Sequence, residues 1–399
     1  CMSEKKKIPE LRFPEFVGEW ESKKLGETVD VMQSGISRRL SDVDIGYPIL
    51  RSNNIQNGEL DITDIKYWYL KDNQGVNLKN YILHEGEILV NFINSIAQIG
   101  KVAVYKDLLK RDTIFTTNIL RLSIKKSYSS LYIFYNFNTS KYLNYIQSIT
   151  KPAVNQASFT TKDFNKYIIG VPSFKKKQKI ASFFTAIDKK ISLLKKKKSL
   201  LEQYKKGVMQ KIFTQEIRFR DENGEEFPEW RNYKLGNICE IITGNKDTQN
   251  RDDSGSYPFF VRSQSIEKIN SYSYDGEAIL TSGDGVGVGK NFHYINGKFD
   301  FHQRVYCLRN FNHETKGKYL FYYFSKHFNK RVMRMSAKNS VDSVRREMVS
   351  DMKIPLPKIE EQTKIASLLT CIDSKINQTQ TQIEKAELWK KGLLQKMFV

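Results

Sequence analysis

Four kinds of segment along the chain bring together side chains that can hydrogen-bond to base edges and cations that can meet phosphate. Arg51, Ser52, Asn53 and Asn54 stand together early on, and Arg262, Ser263 and Gln264 take the matching place later. A second pair of segments carries Asn94, Gln98 and Lys101, then Ser282, Asp284 and Lys290. Asn118 corresponds in the same manner to Gln303 and Arg304. The last pair sets Lys151, Asn155 and Gln156 against Lys338, Asn339, Arg345 and Arg346. Asn, Ser and Gly also make turns on their own account, so recurrence in both halves carries the reading more than any single residue does.

Other chemistries lack their residues. Cys239, Cys307 and Cys371 are scattered, with no CxxC pair and no His at zinc spacing, and are expected to be buried, reduced thiols. The five histidines (84, 293, 302, 313 and 327) form no H-x-x-x-H pair and stand near no Ser or Cys arrangement. The run GDGVGVGK at 283–290 has a superficial likeness to a phosphate loop, but it lacks the first Gly of G-x-x-x-x-G-K and has Asn291 where Ser or Thr belongs. No Pro-Pro dipeptide is present for an amino-methyltransferase motif, and no Pro-Asp for a metal-dependent nuclease core. The expectation is therefore no catalytic residue and no metal site.

The elements that must position the polar segments follow from length, charge and repetition. A chain of 399 residues is longer than one ordinary core, and about 150 residues per domain suggests two or three. With 65 Lys and Arg against 44 Asp and Glu, the formal charge is +21 and the pI about 9.5. Nucleic acid is the first partner such a balance suggests; a membrane surface or ribosome is a competitor. No run of 18 apolar residues occurs, and Lys5 to Lys7 precede no apolar stretch of signal type, so a cytoplasmic location without membrane contact is expected. Cys1, which precedes Met2, is set aside as an added residue.

The sequence repeats itself. KIASFFTAIDKKI at 179–191 returns as KIASLLTCIDSKI at 364–376, and YKKGVMQKIF at 204–213 as WKKGLLQKMF at 389–398. Over the 35 positions starting at Lys179 and Lys364, 16 are identical. Upstream, Trp20, Lys24, Leu25 and Gly26 match Trp230, Lys234, Leu235 and Gly236 at an offset of 210, which falls to about 189 by Gly100 and Gly289. A frame is thus duplicated while the loops between its fixed points differ in length. Each half reads as short β-type runs followed by a helix, around 131–149 and 318–335, and closes with prolines. The fold expected is α+β: two pseudo-two-fold related, β-rich domains with helices at 2–174 and 215–358, separated by long helices at 175–214 and 359–399.

Those helices carry the seam of an antiparallel coiled coil. Ile180, Phe184, Ile187, Ile191, Leu194 and Leu201, continued by Tyr204, Val208 and Ile212, form the first stripe, which Lys198 interrupts. Ile365, Leu369, Ile372, Ile376, Ile383 and Leu393 form the second, with Ala386, Trp389 and Met397 also in register and Thr379 within it. The first rod is basic, with 13 Lys against Asp188 and Glu202 over 175–213.

A proline-terminated domain, then K-I-A, I-D and K-K-G-x-x-Q-K-x-F, all of it twice at an interval of 185, with Gln178 directly before the first K-I-A and Gln362 two residues before the second, resembles the specificity subunits of type I restriction-modification systems. The resemblance covers nearly the whole chain. It implies a non-catalytic, sequence-specific binder of double-stranded DNA in which each domain reads one half of an asymmetric bipartite site and the helices set the spacer. It implies two methyltransferase subunits docked around the helices and restriction subunits, a translocase and nuclease, in the larger complex. S-adenosylmethionine, ATP and magnesium are implied for those partners and no cofactor for this chain. The first half departs from the family pattern, with Lys175, Lys176 and Lys177 before Gln178 where the second keeps Glu360, Glu361 and Gln362. The competing readings are a coiled-coil interaction scaffold and an RNA-binding module.

Overall fold

The computed structural model describes residues 8–56, 58–153, 156–335 and 343–399. They form an α+β chain of two compact units, Cys1–Lys195 with Thr381–Val399, and Lys196–Gln380. Each unit therefore combines a β-rich body with one half of each long helix.

In the first unit a four-stranded antiparallel sheet has the spatial order Val29–Ser34, Ile119–Ile124, Ile88–Asn91, Val102–Val104. The Ile88–Asn91 strand is buried at every position, as an apolar run in a central strand should be. Gly46–Leu50 lies between Ile114–Phe115 and Lys66–Tyr69 in a second sheet. The predicted helix around 131–149 is interrupted: Ser130–Asn136 and Ser140–Ile149 are separate. Thr139 causes the break, because its hydroxyl donates to Asn136 O at 2.7 Å and caps the second helix by accepting from Tyr142 N at 3.3 Å. Glu21–Lys24 pairs with Ile168–Val171 to close the body.

The second unit gathers its strands into one six-stranded sheet, Glu240–Thr243, Val305–Arg309, Tyr274–Ser282, Phe292–Phe301, Tyr257–Phe260, Ile266–Ile269. One helix, Gly317–Met335, covers it, and Arg231–Lys234 pairs with Lys353–Leu356. Among the described residues no helix is long and apolar enough to cross a membrane. Cys307 is buried and Cys239 half-buried, but Cys371 is exposed, contrary to the expectation of three buried thiols, because it lies on the outer face of the second long helix.

The long helices span Phe174–Phe213 and Ile359–Met397. Within the first unit their halves run antiparallel: Phe184 packs near Phe398 at 6.0 Å between ring centroids, Asp188 binds Lys390 at 2.5 Å, and Lys195 binds Glu387 at 2.7 Å. Ile180, Phe184, Ile187, Ile191 and Leu393 are buried in the same core, Ile383 is buried and Leu194 half-buried. Full burial of such a side chain contributes about 1.5–3 kcal/mol. Within the second unit Ile365, Leu369 and Ile372, with Ile376 at the margin, share a core with Val208, Met209, Ile212 and Phe213, and Leu201 is half-buried.

The stripe departs from expectation at Tyr204 and Trp389, which are 57% and 54% exposed. The lysine after each turns inward instead. Lys205 Nζ meets Asp373 at 2.6 Å and Lys390 Nζ meets Asp188. Each aspartate also accepts a phenol proton, from Tyr322 at 2.7 Å and Tyr135 at 2.9 Å, and each phenol lies 3.3 Å from Thr370 or Thr185. The Asp of I-D and the first Lys of K-K-G are thus two ends of one ion pair, built twice. The inward place goes to the cation that finds its anion, and Trp389 packs edge-on against Phe183 at 6.1 Å between centroids instead.

The halves differ where the first helix begins. Glu361, fully buried, accepts from Arg218 at 2.8 Å and from Trp230 Nε1 at 3.1 Å, and Gln362 bonds the backbone of Glu314, Lys316 and Pro357. At the corresponding place Lys176 is 3% exposed, over the rings of Trp20 and Phe16 at 5.2 and 5.8 Å, and among the described residues neither its Nζ nor Trp20 Nε1 has a hydrogen-bond partner.

Candidate nucleic-acid interface

In the first unit the Ser52–Asn54 turn follows the strand Gly46–Leu50. Asn54 is 1% exposed; its Oδ1 accepts from Arg51 N at 2.8 Å and its Nδ2 donates to the carbonyls of Asp61 and Asp64. The expectation of a ligand-facing Asn54 is corrected: its carboxamide is spent on closing the turn, which leaves its exposed neighbour Asn53 as the available amide. Arg51 is half-buried and donates to the Asp64 carboxylate at 2.6 Å.

Asn94 lies on the short strand Ile93–Asn94, which pairs with Ala157–Ser158, which in turn pairs with Lys151–Pro152. That pairing brings exposed Lys151 and Gln156 beside Asn94. Asn118 joins them through its carbonyl, which accepts from Phe92 N at 2.9 Å and Ile93 N at 3.2 Å. A cavity of about 320 Å³ opens among Ser52, Asn53, Gln56, Asn94, Gln98 and Lys101. Residue type and repetition single out five of these; Gln56 lies just beyond the repeated segment 51–54 and joins them only through the fold. Asn155 lies outside the described residues.

The second unit assembles the corresponding segments with different side chains. Arg262, Ser263 and Gln264 are exposed just beyond the strand Tyr257–Phe260. The carbonyl of Arg262 accepts from Ser282 Oγ at 3.1 Å and Asn291 Nδ2 at 2.8 Å, and that of Ser263 lies 3.2 Å from His293 Nε2. Ser282, 1% exposed, therefore holds the frame, which corrects the expectation of a ligand contact there. Gly283 N donates to Arg304 O at 2.7 Å, and Val344 N to Gly283 O at 2.7 Å, while Asp284 bridges to Ser343. Exposed Gln303 and Arg304, and the start of the 343–346 segment, thus meet around the turn that carries Asp284. Arg345 and Arg346 are exposed, and Arg346 Nη2 donates to Ile241 O at 2.9 Å. Lys338 and Asn339 lie outside the described residues.

The 283–290 run joins two antiparallel strands, Tyr274–Ser282 and Phe292–Phe301, whereas a phosphate loop leads from a strand into a helix. Its Gly287 leaves no room for a Cβ, which would stand 2.5 Å from Arg262 O and 2.2 Å from Asn291 Nδ2. Exposed Lys290 closes the run. Val286 at its tip is 94% exposed, and Ile96 at the tip of the matching 94–101 turn is 72% exposed. Polar residue type does not single out either; the signal they leave in the sequence is a β-branched apolar residue within a turn otherwise rich in Gly, Ser, Asn and Asp.

Burial lowers the pKa of His293 and, with help from Arg262, of His302, so both are neutral at pH 7 and the positive charge here belongs to Lys and Arg. Among the described residues no cluster of His, Cys, Asp and Glu could hold a metal ion. Within each unit the four polar segments converge on one surface, with spaced donors and acceptors flanked by cations. Such a surface can read base edges and hold phosphates.

The model of the type I restriction modification DNA specificity domain matches residues 18–203 and 228–388. A putative type I restriction enzyme specificity subunit, MjaX, of Methanocaldococcus jannaschii is 27% identical over 94% of this chain and 92% of its own. The MjaVIII specificity subunit of the same organism is 24% identical over 98% and 93%. Among solved structures, the S subunit of a type I restriction-modification system from M. genitalium superposes with a TM-score of 0.65 at 13% identity, covering 98% of this chain and 99% of that one. A chain from a structure of type I restriction-modification assembly and conformational transition gives 0.55 at 15% identity, covering 94% and 96%.

Proposed function

The chain belongs to the type I restriction modification DNA specificity family, and from that premise we propose that each unit reads one half of an asymmetric, bipartite site in double-stranded DNA. The observation that carries this reading is the convergence, in each unit, of Lys, Arg, Asn and Gln from segments far apart in sequence, at corresponding places but with different side chains. Two unlike readers on one duplicated frame require two unlike half-sites. Bodies bounded at 2–174 and 215–358 are the readers, and the helices of 40 and 39 residues, about 60 Å each, set the unspecified spacer. Two methyltransferase subunits dock around the helices and restriction subunits complete the complex. Methyl transfer with S-adenosylmethionine and cleavage with ATP and magnesium belong to those partners.

Selection from randomised duplexes with the full chain tests this. The expected outcome is one motif of two dissimilar parts, bound with an affinity that falls about 10³–10⁵-fold between 50 and 200 mM salt if 6–10 phosphates are neutralised. Adding one helical turn to both long helices should change the spacer and leave both half-sites intact. Enrichment of no motif, or equal binding of single-stranded RNA, would favour the scaffold or RNA readings instead.

A further inference from the structure

We infer that the second unit reads guanine through two arginines, Arg262 and Arg304, which Asp284 braces; the inference rests on the DNA-reading function proposed above and adds the base. Asp284 Oδ1 lies 3.2 Å from Arg262 Nη1, and its Oδ2 lies 3.8 Å from Arg304 Nε. The arginine side chains are 48% and 65% exposed, whereas the carboxylate between them is 21% exposed. Both backbones are pinned as well: Arg262 O accepts from Ser282 and Asn291, and Arg304 N donates to His302 Nδ1 at 2.9 Å while its carbonyl accepts from Gly283 N.

A lysine or a loose arginine suffices to attract phosphate, and a neighbouring carboxylate weakens that attraction. Bracing serves another purpose. It restricts where each guanidinium lies before the ligand arrives, so less side-chain freedom is lost on binding. The contacts also leave the right edges free. Arg262 is hydrogen-bonded through Nη1, which leaves Nε and Nη2; Arg304 is held as an ion pair only, its Nε 3.8 Å from the carboxylate and beyond hydrogen-bond reach, which leaves Nη1 and Nη2. Two adjacent N–H donors on one edge match O6 and N7 of guanine in the major groove, a pairing no other base accepts in both positions.

The first unit lacks this arrangement. Ile93 stands where the second unit has Asp284 and Asn118 where it has Arg304, since Phe92 N donates to Asn118 O as Gly283 N does to Arg304 O; Arg51, the counterpart of Arg262, is drawn onto the carboxylate and carbonyl of Asp64 at 2.6 and 3.1 Å. Its cavity offers the carboxamides of Asn53, Gln56, Asn94 and Gln98 instead. Dependence on guanine through these arginines therefore falls on one half-site.

The test uses the full chain and the duplex motif it selects. Each guanine is replaced in turn by 7-deazaguanine, which removes the N7 acceptor and keeps Watson–Crick pairing. Wild-type protein should lose about tenfold or more in affinity at one or two guanines, all within one half-site. Arg262→Ala and Arg304→Ala should each make binding indifferent to 7-deazaguanine at one of those positions, with the other half-site read as before. Arg262→Lys, which keeps charge and fold, should lose the same discrimination. Asp284→Ala, the positioning residue, should bind unrelated duplexes more tightly while discriminating less, a split that a mere loss of folding cannot produce. A motif whose guanines tolerate 7-deazaguanine, or whose selection is unchanged in both alanine variants, overturns the guanine assignment and leaves the DNA reading standing; no motif at all removes both.

Discussion

Glu361 and Lys176 show what one side chain does at a duplicated position. Glu361 is fully buried and answers two donors, so Glu361→Ala should strand Arg218 and Trp230 and destabilise the second unit by about 3–5 kcal/mol. Lys176 is a buried cation whose pKa is lowered, by burial first and by Arg12 second, and among the described residues its Nζ faces aromatic rings and has no hydrogen-bond partner. Lys176→Met should leave the first unit as stable or raise it by about 1 kcal/mol. Thermal melts of the two variants check both signs, and a loss at Met would mean that the ring contacts outweigh the cost of burying the charge. Histidine gives a second asymmetry. His293, His302 and His327 all lie in the second unit with pKa values lowered, chiefly by burial. The unfolded chain binds their protons first, so stability is full above about pH 6.5 and falls as acid takes the pH through the lowered values. Hydrogen exchange at pH 7 and 5.5 should show the second unit loosening more than the first. Residue type announced the polar segments, but not which amide within each faces out: Asn53 and Asn54 are chemically alike, and only the strand geometry that aims one at Asp61 and Asp64 separates them.

At the scale of the element, the ion pairs Asp188–Lys390 and Asp373–Lys205 explain why so much of the long-helix repeat is identical. Each joins a half of one helix to a half of the other and carries a tyrosine from the adjoining helix, Ser130–Asn136 or Gly317–Met335. Burial raises the pKa of both phenols, so they stay protonated and donate. Asp188→Lys should cost about 1–3 kcal/mol, and the double variant Asp188→Lys with Lys390→Asp should recover part of it; a double variant no better than the sum of its singles, in urea melts of the full chain, would refute a direct pairing. The helices themselves were legible in the sequence because their apolar period persists over many turns. The inward turn of Lys205 and Lys390 was not, since a single helix's period favours Tyr204 and Trp389 and the compensating aspartate lies on another element. The break at 137–139 was hidden for a similar reason: the 131–149 run keeps its apolar character while Thr139 alone caps a new start.

At the scale of the whole molecule, duplication sets a requirement for completeness. The first unit's core contains Leu393, Leu394, Met397 and Phe398, all from the far end of the chain, and its sheet and helices surround Trp20 and Tyr132, which meet Phe398 at 6.4 and 5.2 Å. A fragment of residues 1–214 lacks those side chains, so Ile180, Phe184 and Tyr132 lose their cover, an exposure of apolar surface that a soluble monomer does not sustain. Yet the fragment carries the repeat equivalents, Val208, Met209, Ile212 and Phe213, which fill the matching place in the second unit. Their volumes are close to those they would replace, and volume-conserving exchanges in a core are the best tolerated. The same fragment keeps Asp188 and supplies Lys205 in place of Lys390, so the ion pair can also be rebuilt between copies. Residues 1–214 should therefore form a two-fold dimer in which each copy lends the end of its helix to the other. Light scattering after size exclusion should give twice the fragment mass, and Phe213→Ala together with Ile212→Ala should return it to an aggregation-prone monomer. A stable, folded monomer of 1–214 would mean that the borrowed helix end is dispensable to the first unit, against everything its core composition indicates.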